Sequence, residues 1–246
     1  MTRYAGAFLV PDGSWVTAQG LALSLLSRTP LFAGVVPADL EPLLADFRLR
    51  RYATDSFIFR EGDPGDHLYV VASGEVKISR TTKAGGEVIF AVLGTGDVFG
   101  ELAVLQENAV RSADAQTLAE TECFVLHRPA LVAFLQAHPA LMWRVITVLS
   151  DTIRRKDEAF SDLVFNDIPG RVARKLLELA AAHGEPAHTG VQITVRLSQR
   201  TLAGLVGASR ENVNRALSHF ASLGVIELER GHINLLRPDE LRRRGV

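Results

Sequence analysis

A single cysteine, Cys123, stands in 246 residues, which excludes a disulfide within the chain and any iron–sulfur cluster held by several cysteines. It falls in the apolar run Cys123-Phe124-Val125-Leu126 and is expected to pack in a core. No stretch offers the roughly 18 uncharged apolar residues that a bilayer crossing needs. Met1–Val10 fails as a leader because Pro11, Asp12 and Gly13 interrupt it. These absences predict a soluble protein of the reducing cytoplasm, without membrane contact. The seven histidines show neither an HExxH pattern nor paired ligand spacing, and His183 and His188 lie in a Gly/Pro loop, so no metal is expected.

An excess of charge of either sign is also missing, since the formal net charge is -1. That average conceals a division just before Ile168-Pro169-Gly170. Residues 168–246 carry 12 Lys and Arg against 7 Asp and Glu, a net of +5, while residues 1–167 carry 15 against 21, a net of -6. A basic C-terminal portion suits a polyanion. The length fits two domains of ordinary size, and 47% hydrophobic with 22% charged residues rules out a disordered chain.

Between 56 and 127, short β-branched and aromatic runs alternate with turn residues: Ser56–Phe59, His67–Ala72, Glu75–Ser79, Glu87–Leu93 and Cys123–Leu126, with glycines 62, 65, 74, 85, 86, 94, 96 and 100 largely between them. Strands of four to seven residues with turns about every ten predict an antiparallel barrel or roll. From Pro139 the period changes. Met142, Ile146, Leu149, Ile153, Lys156, Phe160 and Leu163 recur in steps of four and three, the seam of a long helix whose stripe is explained by pairing with a second copy.

After Ile168-Pro169-Gly170, Val172, Leu176 and Leu179 mark an amphipathic helix, and His183-Gly184-Glu185-Pro186 reads as a loop. Leu202, Leu205 and Val206 then face inward on one short helix, Gly207-Ala208 turns the chain, and Val213, Ala216, Leu217 and Phe220 face inward on a second. This is a helix-turn-helix pattern. Ile226 and Leu228, a turn at Arg230-Gly231, and Ile233 and Leu235 add a hairpin wing. On the second helix Ser209 is placed to cap the N-terminus, with Arg210, Glu211, Asn212, Asn214 and Arg215 at its start and outer face. An Arg fork matches guanine O6 and N7, and a Glu accepts from cytosine N4. Ser198, Gln199 and Arg200 open the first helix, which would lie across the DNA backbone. The Arg242-Arg243-Arg244 tail reads as a solvated basic terminus.

The run Gly96-Asp97-Val98-Phe99-Gly100-Glu101-Leu102-Ala103, followed by Arg111-Ser112-Ala113, resembles the phosphate-binding cassette of the CRP/FNR family of bacterial regulators. The resemblance extends through Glu61–Asp66, Asp167–Arg171 and Val206–Val213, covers roughly residues 28 to 240, and is nearest in wording to actinobacterial members. It implies an α+β architecture: an N-terminal extension of unknown role (1–27), a cyclic-nucleotide-binding antiparallel β-roll (28–138), a dimerisation helix and hinge (139–167), and a C-terminal winged helix-turn-helix (168–246). Arg111 and Ser112 would hold a phosphate beside Gly100 and Leu102. Glu101 would accept a ribose hydroxyl, and Ile78, Phe90 and Phe99 would line the base or sugar side. Cyclic AMP is the ligand the resemblance favours. Its cyclic-AMP-binding members present a Thr and then a Ser or Asn to adenine, where an ungapped count from Arg111 puts Lys156 and Asp157 and a one-turn shift would bring Thr152 or Ser161, which leaves cyclic GMP or another nucleotide open.

The expected function is therefore a homodimeric transcription regulator whose affinity for a pseudo-palindromic double-stranded DNA operator responds to a nucleotide, with RNA polymerase as a further partner. The resemblance suggests half-sites like TGTGA, read by Arg210, Glu211 and Arg215. No catalysis is expected, because no nucleophile, base and oxyanion set is discernible. The alternatives are a ligand-independent regulator with a degenerate pocket and a nucleotide-binding regulatory module of an enzyme.

Overall fold

The structure is a computed structural model, and it describes residues 3–4, 7–9, 15–29, 31–32, 35–81, 87–229 and 232–244. The chain divides into two compact units, residues 1–79 with 92–152, and residues 80–91 with 153–246.

In the first unit a small sheet runs in the order β1 (Arg3–Tyr4), β2 (Ala7–Leu9), β3 (Trp15–Thr17) and leads into α1 (Ala18–Arg28) and α2 (Pro37–Leu44). The expected antiparallel roll follows as β4 (Arg48–Tyr52), β5 (Phe57–Phe59), β6 (His67–Ser73), β7 (Val76–Thr81), β8 (Glu87–Leu93), β9 (Val98–Phe99), β10 (Asp114–Thr117) and β11 (Thr121–His127), with the single turn α3 (Glu101–Val104) after β9. Two four-stranded sheets are ordered β5-β10-β7-β8 and β4-β11-β6-β9. The apolar runs became β5 to β8 and β11. The others carry little apolar signal: β4 is Arg-Leu-Arg-Arg-Tyr and β10 is Asp-Ala-Gln-Thr, yet each is held by an antiparallel neighbour on β11, or on β5 and β7. Sheet pairing decides where local composition is mute.

Leu68, Val70 and Ala72 on one face of β6 join Phe124 and Leu126 of β11 in a core completed by helices. Leu21, Ala22, Leu25 and Leu26 of α1 are buried in it, so the segment before residue 28 supplies part of the roll's interior. Thr17 caps α1 by accepting from the Gly20 N–H. Cys123 is fully buried in a second cluster with Tyr69, Val71, Val76, Phe99, Ala115 and Val125 on the opposite face of the sheet.

Two helices follow, α4 (Arg128–Ala137) and the 27-residue α5 (Pro139–Phe165), a rod of about 40 Å at 1.5 Å per residue. No single helix among the described residues is long and apolar enough to cross a membrane.

The second unit contains α6 (Ile168–His183), β12 (Gly184–Pro186), β13 (Val191–Ile193), α7 (Gln199–Val206), α8 (Arg210–Ser222), β14 (Ile226–Glu229), β15 (His232–Leu235) and α9 (Pro238–Arg244). Asp167 caps α6 by accepting from the Gly170 N–H at 2.8 Å, and Pro169, which lacks an N–H, sits where the first turn needs no donor. Val172, Leu176 and Leu179 are buried along it as expected. The segment His183–Pro186, expected as a loop, instead forms β12, because Gly184, Glu185 and Pro186 pair with Ile193, Gln192 and Val191. The wing is thus a four-stranded sheet, β12-β13-β15-β14, whose expected turn at Arg230-Gly231 lies outside the described residues. Residues 238–244 form a helix anchored by the fully buried Leu241, on which Arg242, Arg243 and Arg244 are all exposed as expected, with Arg242 paired to Asp239.

Candidate functional site

Arg111 follows the β-bridge between Pro64 and Val110 and is only 3% exposed. Its guanidinium is fixed by two neutral carbonyls: Nη1 donates to Gly100 O at 3.1 Å and Nη2 to His67 O at 2.8 Å. One flank lies over the Phe59 ring at 4.2 Å, and the Tyr69 ring centroid is 5.5 Å away. Nε is buried and has no hydrogen-bond partner among the described residues. Burial pulls the Arg111 pKa below its ordinary value, against the opposing charges of Tyr69, Asp66 and Glu101. The site therefore holds a desolvated cation with one donor unspent, an arrangement that favours an anion.

Gly100 has to be glycine here. Its φ is +84°, and an added Cβ would lie 2.7 Å from Arg111 Nη1 and 2.9 Å from the His67 carbonyl oxygen. Glu101 is half-buried at the start of α3, while Leu102 (40% exposed) and Ser112 reach solvent beside this centre.

The apolar assignments divide. Ile78 packs against the second core cluster. Phe99 is an interior residue, 3% exposed, stacked on Tyr69 at 4.9 Å and tilted against Phe59 at 5.9 Å. The aromatics that touch the Arg111 guanidinium are Phe59 and Tyr69, which sequence reasoning missed. Both sit in strands whose alternation made them ordinary core candidates. Phe90 (54% exposed), Lys156 and Asp157 belong to the second unit, where all three are exposed.

The second candidate surface is α7 and α8. Ser198 accepts from the Thr201 N–H at 3.0 Å and Ser209 from the Asn212 N–H at 3.3 Å, so both helices begin with the capping hydroxyls the sequence implied. Gly207 ends α7 with φ 62° and ψ 47°, a left-handed turn that glycine adopts without strain. Leu202, Val206, Val213, Ala216, Leu217 and Phe220 are buried as expected, and they turn Gln199, Arg200, Arg210, Glu211, Asn214 and Arg215 outward, with Asn212 half-buried. Gln199 Nε2 donates to Asn214 Oδ1 at 2.9 Å, tying the two helices together on that face. Hydrogen bonds from its own backbone N–H and from Ser209 hold the Glu211 carboxyl below its ordinary pKa, which keeps it an acceptor. Ser218 and His219 are exposed one turn beyond Asn214 and Arg215. The 3.6-residue spacing places Ser218 between Arg210 and Glu211 on the helical wheel, a signal that was present in the sequence and overlooked.

The long helix exposes Met142, Ile146, Ile153 and Phe160, four of the expected seam, at 48, 51, 61 and 68%. At 100° per residue these fall within about 40° of one another, together with Val164. Trp143, Val164 and Phe165 are also exposed and were not foreseen. Leu149 departs from the seam: it is half-buried and packs against the core of the first unit. Lys156 is exposed at the edge of the stripe, and the Leu163 side chain lies outside what the structure describes.

These two surfaces coincide with two family matches. Residues 49–138 match the family described as "Cyclic nucleotide-binding domain", and residues 170–244 match "Crp-like helix-turn-helix domain". The chain is 36% identical over 221 residues, 90% of its length and 98% of the relative's, to a protein of Mycobacterium tuberculosis named "CRP-like cAMP-activated global transcriptional regulator". The chain belongs to the CRP/FNR family. Another relative, the "Cyclic AMP receptor protein" of Thermus thermophilus, is 34% identical over 85% of this chain and 94% of its own. Among solved structures, FixK2 from Bradyrhizobium japonicum shares the fold with a TM-score of 0.73 at 21% identity, over 81% of this chain and 98% of that one. This CRP/FNR chain is accordingly a transcription regulator built from a cyclic-nucleotide-binding roll and a helix-turn-helix domain. Within that frame Gly100 and Arg111 fall in the cyclic-nucleotide-binding match, and α7 and α8 fall in the helix-turn-helix match.

Proposed function

We propose that this CRP/FNR regulator is a cytoplasmic homodimer whose affinity for a pseudo-palindromic operator is set by a cyclic nucleotide, cyclic AMP foremost, held at Arg111. The observation that carries the reading is the buried Arg111 guanidinium, held by two carbonyls and the Tyr69 side chain, whose Nε has no hydrogen-bond partner among the described residues. A phosphate would offer Nε an acceptor oxygen in the guanidinium plane together with a negative charge. Ser112 and Leu102, exposed beside it, would flank the phosphate, and Glu101 would take a ribose hydroxyl. The mycobacterial relative, a cAMP-activated regulator by name, and the Thermus cyclic AMP receptor protein favour cyclic AMP. Lys156 and Asp157 keep cyclic GMP or another nucleotide as the alternative.

The exposed apolar stripe of α5 is the surface on which a second copy would pack. Two copies would present two α8 helices to successive major grooves, with Arg210, Glu211, Asn214 and Arg215 at base edges and Ser198, Gln199 and Arg200 on the backbone. Once bound, the protein would act on transcription through RNA polymerase. No catalytic step is part of this reading. A ligand shifts such an equilibrium only through unequal affinity for its states, and the coupling is reciprocal.

Calorimetry with cyclic AMP, cyclic GMP, cyclic di-GMP and AMP, each with and without a palindromic duplex, tests this. One site per chain is expected, with nucleotide and duplex tightening each other by the same factor, and Arg111→Ala should lose the nucleotide while remaining folded. Equal nucleotide affinity with and without the duplex would reject the switch.

A further inference from the structure

The histidine pattern gave no reason to expect a metal, because the residues that meet in space come from separate strands. His67 opens β6 and His127 closes β11, and the antiparallel register sets them directly opposite each other, so their side chains share one face of the sheet. Their ring centroids are 4.9 Å apart. Asp66 precedes His67 and is pinned at its own carbonyl, which accepts from the Arg128 N–H at 2.8 Å. Its carboxylate sits between the rings: Oδ1 is 2.6 Å from His67 Nδ1, and Oδ2 is 3.8 Å from His127 Nε2.

We propose that Asp66, His67 and His127 form a binding site for one divalent transition-metal ion of the zinc class. All three ligand atoms lie within 4.8 Å of one another. An ion bound at about 2.0–2.1 Å by tetrahedrally arranged N and O ligands holds them about 3.3 Å apart. The two contacts use different Asp66 oxygens, and the 2.6 Å one is a hydrogen bond, so an ion would take its place once the side chains rotate to turn one oxygen and the two ring nitrogens to a common point.

Two imidazoles and one carboxylate suit zinc, cobalt or nickel, and not magnesium or calcium, which prefer all-oxygen shells. The side chains are 52, 27 and 56% exposed in chain order, which lets an ion enter and keep water in its remaining position.

The site adjoins the nucleotide centre, since the His67 carbonyl is the acceptor that holds Arg111 Nη2. Asp66 is also one of the charges that act on Arg111. A cation on Asp66 removes a negative charge that opposes an anionic ligand, so occupancy raises nucleotide affinity. This last consequence rests on the nucleotide reading, and the ion site does not.

The test is titration of the metal-free full-length protein with CoCl2 alone, followed by its visible absorption, and with ZnCl2 by calorimetry. One ion per chain and a tetrahedral cobalt spectrum are expected. Asp66→Asn and His127→Ala, both at exposed positions, should each weaken the ion at least about tenfold, since even supporting groups around a metal are worth 10- to 100-fold. His138→Ala, outside the cluster, should not. Absence of saturable binding, or unchanged affinity in Asp66→Asn and His127→Ala, overturns the site. Arg111→Ala separates the two readings: it should abolish nucleotide uptake while cobalt binds as before. Equal nucleotide affinity in the wild type with and without zinc overturns the coupling to Arg111.

Discussion

Gly100 and Arg111 compete for the same volume. The Gly100 carbonyl receives the Arg111 Nη1 hydrogen at 3.1 Å, and a methyl group on Gly100 would stand 2.7 Å from that nitrogen. The position also has a φ of +84°, where an L side chain is strained. Two costs are therefore superimposed, and a second glycine separates them. Gly62 has a φ of +88° but nothing within 4 Å of an added Cβ.

Gly62→Ala should accordingly lose only the backbone term, about 1–2 kcal/mol of stability, and bind nucleotide normally. Gly100→Ala should lose at least as much stability and bind nucleotide at least about tenfold more weakly, because the guanidinium must shift. Thermal melts and calorimetry on the two variants check this; equal nucleotide affinity in both would mean the guanidinium position is irrelevant to the ligand.

On α8 the expected outcomes differ by residue. Arg210→Ala should cost about 1–3 kcal/mol and relax preference at one base pair. Arg200→Ala, on the helix assigned to the backbone, should weaken binding to every sequence alike and lower the salt slope by about 1. Ser218→Ala should change preference at a position outside the pair read by Arg210. Selection from a randomised duplex library, repeated at several salt concentrations, distinguishes these. A uniform loss for Arg210→Ala would make it a phosphate contact.

How much of this was readable beforehand depended on whether the signal was local. Ser209, Gly207 and the spacing of Leu202, Val206, Val213 and Phe220 encode the helix-turn-helix within about twenty consecutive residues, and the structure places each as read. Gly100 and Arg111 were legible through the motif that joins them. Phe59 and Tyr69 were not, because what distinguishes them is a guanidinium brought from the segment before β10. The same holds for β4, whose arginine-rich sequence becomes a strand only by pairing with β11, and for β12, whose Gly-Glu-Pro looks like a turn until β13 lies beside it. His67 and His127 are sixty residues apart in sequence and opposite in register, a relation that only the sheet supplies.

Alkaline pH offers a probe of the roll's interior. Burial pushes the Cys123 thiol from 9.0 up to about 12, and burial, with the charges of Tyr69 and Cys123, raises Tyr52 from 10.0 to about 12. Both groups stay protonated in the fold over a range where the unfolded chain releases its protons. Their contribution is intact below pH 9 and is lost as pH rises toward 12, by up to about 1.4 kcal/mol per unit for each group. Denaturant melts between pH 8 and 11 should show stability falling through this window, and Cys123→Ala should flatten the fall above pH 9. A thiol reagent should label Cys123 only on unfolding; rapid labelling of the native protein would contradict its burial.

The stripe on α5 makes the dimer testable without disturbing either unit. Ile153 and Phe160 are 61 and 68% exposed, so a charge at either place should change the stability of the isolated chain by less than about 0.5 kcal/mol. In a dimer packed through this face each side chain contributes about 1.5–3 kcal/mol, which corresponds to a tenfold to hundredfold change in the dissociation constant. Ile153→Asp and Phe160→Asp should therefore yield folded monomers in sedimentation equilibrium at concentrations where the wild type is dimeric. Both should lose operator affinity steeply, because a single α8 reads only one half-site. Leu149 supplies the contrast. It packs against the core of the first unit, so Leu149→Asp should lower the melting temperature of the roll. If Ile153→Asp and Phe160→Asp remain dimeric, the partner copy packs elsewhere and the stripe belongs to another surface.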